Sequence, residues 1–262
     1  MRQCDGREDK QPDSRALLGC IAGASYRYHL QATLTDTVVI TMGTGDMTSR
    51  RKLWLGSMVL YALFFSWYTD FGGPLTEAEI QAYIAKTENL DLGGDPSARG
   101  ALIEFLRNDT GGQFLMFNAV DLAKNPPPME GAPPDADGQT LIDLYMEHMI
   151  PALLSRASHP VVVGKSVAGS LDLVGIEGAD TWSDGAIMRY RSRRTLIDII
   201  GNPEFYARHD FKLAGLEKTI AYPVEPRIYI GDLRLLLGLF MLAITALLDA
   251  RLARKEPRAD SR

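Results

Sequence analysis

Apolar residues run nearly unbroken through two stretches of the chain, near residues 53–71 and 228–250, and elsewhere recur with helix or strand spacing. Leu53 to Tyr68 is 16 residues without a charge, with Trp54, Trp67 and Tyr68 at its ends. As a helix it is about 24 Å long, somewhat short of a ~30 Å hydrocarbon core. Amphipathic rings at both ends suit the headgroup layers. The second block, Ile228 to Ala250, has a charge-free centre from Leu235 to Leu248, and its outward extension takes in Asp232 and Arg234. Charges are costly in hydrocarbon but tolerated near an interface, where long side chains reach the headgroups. The pattern therefore predicts two transmembrane helices, within 47–72 and 227–250.

Between the blocks the period shifts. Thr76 and Glu79 form a capping box that opens a helix carrying Ile80, Tyr83 and Ile84, and Ser97 to Arg107 is a second helical stretch. Residues 73–110 are read as a helical linker. Gln113 to Val120 follows a Gly-Gly turn as a strand, and Ala123 to Gly138, rich in Pro, Asp and Gly, is a loop. Thr140 to Arg156 is an amphipathic helix that His159-Pro160 ends. Strands follow at Val161–Ala168 and Ala186–Arg191. Helical segments at Arg193–Ile200 and Glu204–Leu213, the latter opened by Asn202 and Pro203, lead to a last strand at Lys218–Val224. The order β-α-β-β-α-β is the ferredoxin-like pattern, an α+β domain over 111–226 with helices on one sheet face. The uncovered face is expected to be buried on a second copy, making a homodimer.

Charge sets the orientation. Arg50-Arg51-Lys52 precede the first block, and Arg251, Arg254, Lys255 and Arg258 follow the second in a basic tail, 251–262. The positive-inside rule puts both ends in the cytoplasm and the α+β domain across the bilayer as a two-pass membrane protein. Residues 1–46 are polar and weakly patterned. A basic segment leading into an apolar run after Met47 reads as the start of a signal anchor, leaving 1–46 as an upstream extension or a disordered tail. The net charge of −5, without a basic stripe interleaved with aromatics, argues against nucleic acid as a partner. The two cysteines, Cys4 and Cys20, both lie in the extension, so the body has no disulfide framework and no cysteine zinc site.

The run Gly112-Gln113-Phe114-Leu115-Met116-Phe117-Asn118 before a Pro-rich loop resembles the first strand of an uncharacterised branch of the dimeric α+β barrel superfamily. Similar too are Met188-Arg189-Tyr190-Arg191-Ser192-Arg193, Asn202-Pro203-Glu204-Phe205 and Lys212-Leu213-Ala214-Gly215-Leu216-Glu217. The likeness covers about residues 111–224 and implies a ferredoxin-like fold and a dimer. The branch has no defined activity; wider relatives include cofactor-free monooxygenases and haem-degrading enzymes. The loop 123–138 and the apolar blocks depart from the usual soluble member.

Candidate chemistry is sparse. His148, on the apolar side of its helix, reads as a core histidine or as an acid/base group. His209, beside Lys212 and Glu217, forms either a second acid/base cluster or part of a packed face. Strand alternation sends Arg189 and Arg191 to the face opposite Met188 and Tyr190, where they serve as anion ligands or as a solvated edge. Asn118 in an apolar strand is a pocket group or a structural hydrogen bond. Asn118, Arg189, Arg191 and Lys212 are thus the candidate ligand-binding residues, and His209 and His148 the candidate catalytic ones. No histidine spacing suits a metal and no glycine-rich phosphate loop occurs, so no cofactor is read. The expectation is a membrane-anchored domain that binds a small molecule in its sheet–helix cleft. An oxygenase-type enzyme and a structural membrane-assembly protein are the alternatives.

Overall fold

A computed structural model describes residues 48–88, 96–203 and 208–255. The expectations for residues 1–46, for Glu204 and Phe205, and for the tail from 256 onward lie outside the described residues. The elements are α1 (Ser49–Tyr68), α2 (Glu77–Lys86), α3 (Pro96–Arg107), β1 (Phe114–Leu122), α4 (Gly138–Ser155), β2 (His159–Lys165), β3 (Asp184–Tyr190), α5 (Arg193–Ile200), α6 (His209–Ala214), β4 (Leu216–Val224) and α7 (Leu233–Lys255).

The strands form one antiparallel sheet in the order β2-β3-β1-β4. This is the ferredoxin-like arrangement, in which two β-α-β crossovers interleave. Both edge strands contain proline, Pro160 in β2 and Pro223 in β4, where a missing N–H costs no ladder bond. β2 is shorter than its sequence pattern predicts: it stops at Lys165, and 166–183 is irregular.

Helices α4 and α5 cover one face. Phe114, Met149, Ala152, Leu153, Tyr190, Leu196 and Ile199 form the core beneath them, with Phe114 stacked on Tyr190 at 5.1 Å and 5°. Leu75, Ile80, Leu106 and Ile197 form a second cluster that ties α2 and α3 to the outside of α5. The capping box predicted at Thr76 and Glu79 is present, and Glu79 also pairs with Arg194 at 2.7 Å. Helices α2 and α3 are therefore a packed layer and not merely a connection. Gly111 joins that layer to the sheet: its φ is +78°, and a Cβ there would lie 2.3 Å from the Gly73 carbonyl carbon. Only glycine meets both conditions.

Helix α4 ends in a left-handed residue, Ala157 (φ 52°), with Ser158 N–H donating to Leu153 O at 2.9 Å and Ala157 N–H to Leu154 O at 3.1 Å. This hydrogen-bond pattern closes helices whose next residue turns away sharply. It delivers the chain into β2 beside β3.

Of the two predicted transmembrane helices, one meets the length and hydropathy that a span requires. Among the described residues one helix, α7, is long and apolar enough to cross a membrane, with mean hydropathy 2.0 over its best window and almost none of it buried. Helix α1 has 20 residues, but Arg50, Arg51 and Lys52 lie in its first turn, so any 18-residue stretch of it takes in at least two of these cations. The two helices pack antiparallel. Arg50 pairs with Asp249 at 2.6 Å, Ser57 accepts from Thr245 at 2.7 Å, and the Tyr61 hydroxyl donates to Arg234 O at 3.0 Å.

A candidate ligand cleft between sheet and helix

The cross-strand register makes the cleft. On the face under α4, one row of partners is Val163–Ala186–Asn118–Ala221. Ala186 and Asn118 there leave space that the neighbouring row, containing Met116 and Met188, fills. The result is a cavity of about 340 Å³, within the range of small-molecule sites. Met149, Leu153 and Tyr190 form its buried floor, while Gln139, Val163 and Gly185 are exposed at its rim. Ile142, Tyr145, Met146 and Ile150 of α4 close the top at helical spacing.

Polar groups are few in this lining. Asn118 Nδ2 donates to Met116 O at 3.0 Å, which leaves the amide oxygen available to a ligand. Lys212 enters from α6, its Nζ 5.9 Å from the Tyr145 ring centroid. Burial among apolar walls pushes the Lys212 ammonium below the ordinary lysine range, since no charge offsets the lost hydration. Burial likewise pushes the Tyr145 phenol up and the Tyr190 phenol up to about 12, so both stay protonated at neutral pH.

The structure thus brings together two of the candidate residues, Asn118 and Lys212. Arg189 and Arg191 lie elsewhere. Alternation turns Arg189 to the other sheet face, where it is fully buried. Its guanidinium sits 3.5 Å from the Tyr68 ring centroid and donates to Gln113 Oε1 at 2.7 Å, to Tyr68 O at 2.9 Å and to Ala157 O. Arg191 Nη1 donates to Trp67 O at 3.2 Å. The two arginines therefore hold the last carbonyls of α1, which no further turn of helix satisfies. Burial lowers the Arg189 pKa to about 10, and the residue remains a cation at neutral pH. Neither arginine lines the cavity, and Arg189 is no solvated edge residue.

Neither candidate histidine lines the cavity. His209 meets the Tyr145 ring edge-on at 6.1 Å, and the His148 Nδ1 is buried without a hydrogen-bond partner. Sequence reasoning gave His159 no role. Its Nδ1 donates to Pro160 O at 2.8 Å, and its Nε2 accepts from the Tyr68 hydroxyl at 2.7 Å. The aromatic end of α1 was visible in the sequence, but its partner on β2 was not. Among the described residues no group of His, Cys, Asp and Glu could hold a metal ion.

No protein-family model matches the sequence, and no curated protein matches it. Solved structures similar to it include a protein of unknown function from Rhodopseudomonas palustris, 21% identical with a TM-score of 0.43, covering 52% of this chain and 97% of that one. Others are a dimeric protein of unknown function and ferredoxin-like fold from Bacteroides fragilis (12% identical, TM-score 0.26, 44% and 97% covered) and a protein from Arabidopsis thaliana (16%, 0.28, 44% and 97%). The strand order places the domain among ferredoxin-like α+β folds independently of these likenesses.

Proposed function

We propose that the protein is a membrane-anchored, self-associating binder of a small, mainly apolar molecule with one polar end. The observation that carries this reading is the 340 Å³ cavity under α4, whose walls are apolar apart from a few convergent polar groups. The apolar body of the ligand lies along Ile142, Met146 and Met149. Its polar end meets Asn118 and Lys212.

The two-pass anchor is part of the proposal. What supports it is the exposed apolar surface shared by the paired helices: Met58, Leu60 and Leu63 on α1, and Leu239, Phe240 and Leu247 on α7, are each more than half exposed. Water does not cover such a surface at low cost, whereas acyl chains do. The basic residues Arg51, Lys52, Arg251, Arg254 and Lys255 sit at the same end of the antiparallel pair, which supports that end as cytoplasmic.

The test is binding of an anionic, environment-sensitive naphthalene dye to the full chain in detergent micelles, corrected for dye in empty micelles. Ile142→Trp fills the cavity from its partly exposed side. It is expected to weaken dye binding about tenfold, equivalent to about 1.4 kcal/mol. Unchanged binding in this variant would remove the cleft from the proposal.

A further inference from the structure

Lys212 is the one charged side chain that the cleft draws from α6, and its surroundings are unusual for a lysine. The cavity's other polar groups are Asn118 from β1, Gln139 and Tyr145 from α4, and Asp184 and Tyr190 from β3. Asp184 is paired in register with Lys165, at the β2 edge. Among the described residues no carboxylate forms a salt bridge with Lys212; its recorded neighbour is the aromatic ring of Tyr145. A lysine placed to hold a carboxylate or phosphate does so as a hydrated ammonium. Among largely apolar walls, with no carboxylate paired to it, the ammonium is less favoured than on an exposed lysine, and the neutral amine is a nucleophile.

We propose that the cleft takes an aliphatic or aromatic aldehyde or ketone, and that Lys212 Nζ condenses with its carbonyl carbon to give a reversible imine. This rests on the cleft being the ligand site and goes on to name the chemistry of the ligand's polar end. The Nζ lone pair attacks the carbonyl carbon, a C–N bond forms, and the carbonyl oxygen takes up a proton. The carbinolamine then loses its hydroxyl as water while the nitrogen gives up its proton, and a C=N bond remains. One water leaves, the step is neutral in redox, and water entering at the exposed rim reverses it. The Asn118 amide, whose Nδ2 is held by Met116 O, lines the wall against which the carbonyl approaches. The apolar lining of Ile142, Met146, Met149 and Leu153 selects a hydrocarbon body over a sugar.

The experiment treats the full chain in detergent with hexanal and sodium cyanoborohydride at pH 7 and maps the reduced adducts by peptide mass spectrometry. Exposed Lys86, Lys124 and Lys165 serve as internal standards. A lowered lysine pKa raises the neutral fraction at this pH, so Lys212 is expected to label faster than the standards. Lys212→Arg keeps a cation of similar length but forms no imine. It is expected to lose that adduct. Labelling of Lys212 no faster than the standards, with dye still bound in the cavity, overturns the imine and leaves the cleft intact. Loss of sensitivity of dye binding to Ile142→Trp overturns the cleft reading itself, which the dye titration alone reports.

Discussion

Arg189 ties the sheet to the end of α1 and to the turn after α4. A buried guanidinium survives only when its donors are matched, and here they reach Tyr68 O, Ala157 O and Gln113 Oε1 with a ring stacked on its face. Arg189→Met is expected to leave two buried carbonyls unpaired and to cost about 3 kcal/mol, read as a lowered thermal midpoint of the full chain in detergent. Arg189→Lys recovers little of this, because an ammonium is not a planar fork. A wild-type midpoint in both variants would show that the network is not structural. Lys212 behaves in the opposite sense. Its folded pKa is below its unfolded one, so the unfolded chain binds more protons in the window between them. Stability therefore rises with pH through that window and levels off above the unfolded lysine value of about 10.4. The stability advantage of Lys212→Met over wild type is expected to shrink as pH is raised toward that value. An advantage that is constant with pH would mean that Lys212 is not desolvated in the folded state.

At the scale of elements, some helices line the cleft and others form the proposed anchor. Helix α4 does the former, with Ile142, Met146, Met149 and Leu153 in one stripe against the sheet. Pro151 on its exposed side removes one backbone donor where the carbonyl left over can be hydrated. Helices α1 and α7 do the latter, held together by Arg50–Asp249 at one end and by Tyr61 donating to Arg234 O nearer the other. Asp232 starts α7 by accepting from Arg234 N–H at 2.9 Å and also accepts from Gln113 at 2.9 Å. The charges that seemed costly in the sequence thus belong to the joint between helix and domain. If both helices span the bilayer, topology reporters inserted at Gly175 and fused after Arg262 report opposite sides. Both on the same side would mean that the pair lies on one membrane face or that only α7 crosses.

At the scale of the whole molecule, the described residues leave part of one sheet face open beyond the end of α1. Val162, Ile187, Phe117 and Tyr222 form a row across all four strands, with Phe117 stacked on Tyr222 at 5.6 Å. Val162 and Tyr222 are each more than half exposed. An apolar row of this kind is a surface for a second sheet, and the homodimer is the occupant the fold class favours. Tyr222→Glu puts a carboxylate in that row and is expected to convert a dimer to a monomer in analytical ultracentrifugation of the detergent complex. Persistence of the dimer would move the contact off the sheet face. The order of elements, the capping box at Thr76 and Glu79, the αβ crossovers and the apolar α7 were all legible in the sequence, because period and capping are local properties of a few neighbouring residues. Alternation also told correctly that Arg189 and Tyr190 part company. What those faces met was decided only by tertiary structure. The cavity exists because Asn118 and Ala186, from two strands, come into one register row under α4, and Arg189 is structural because α1 ends beside it. Both depend on contacts between residues tens of positions apart, and such contacts leave no periodic trace in either partner.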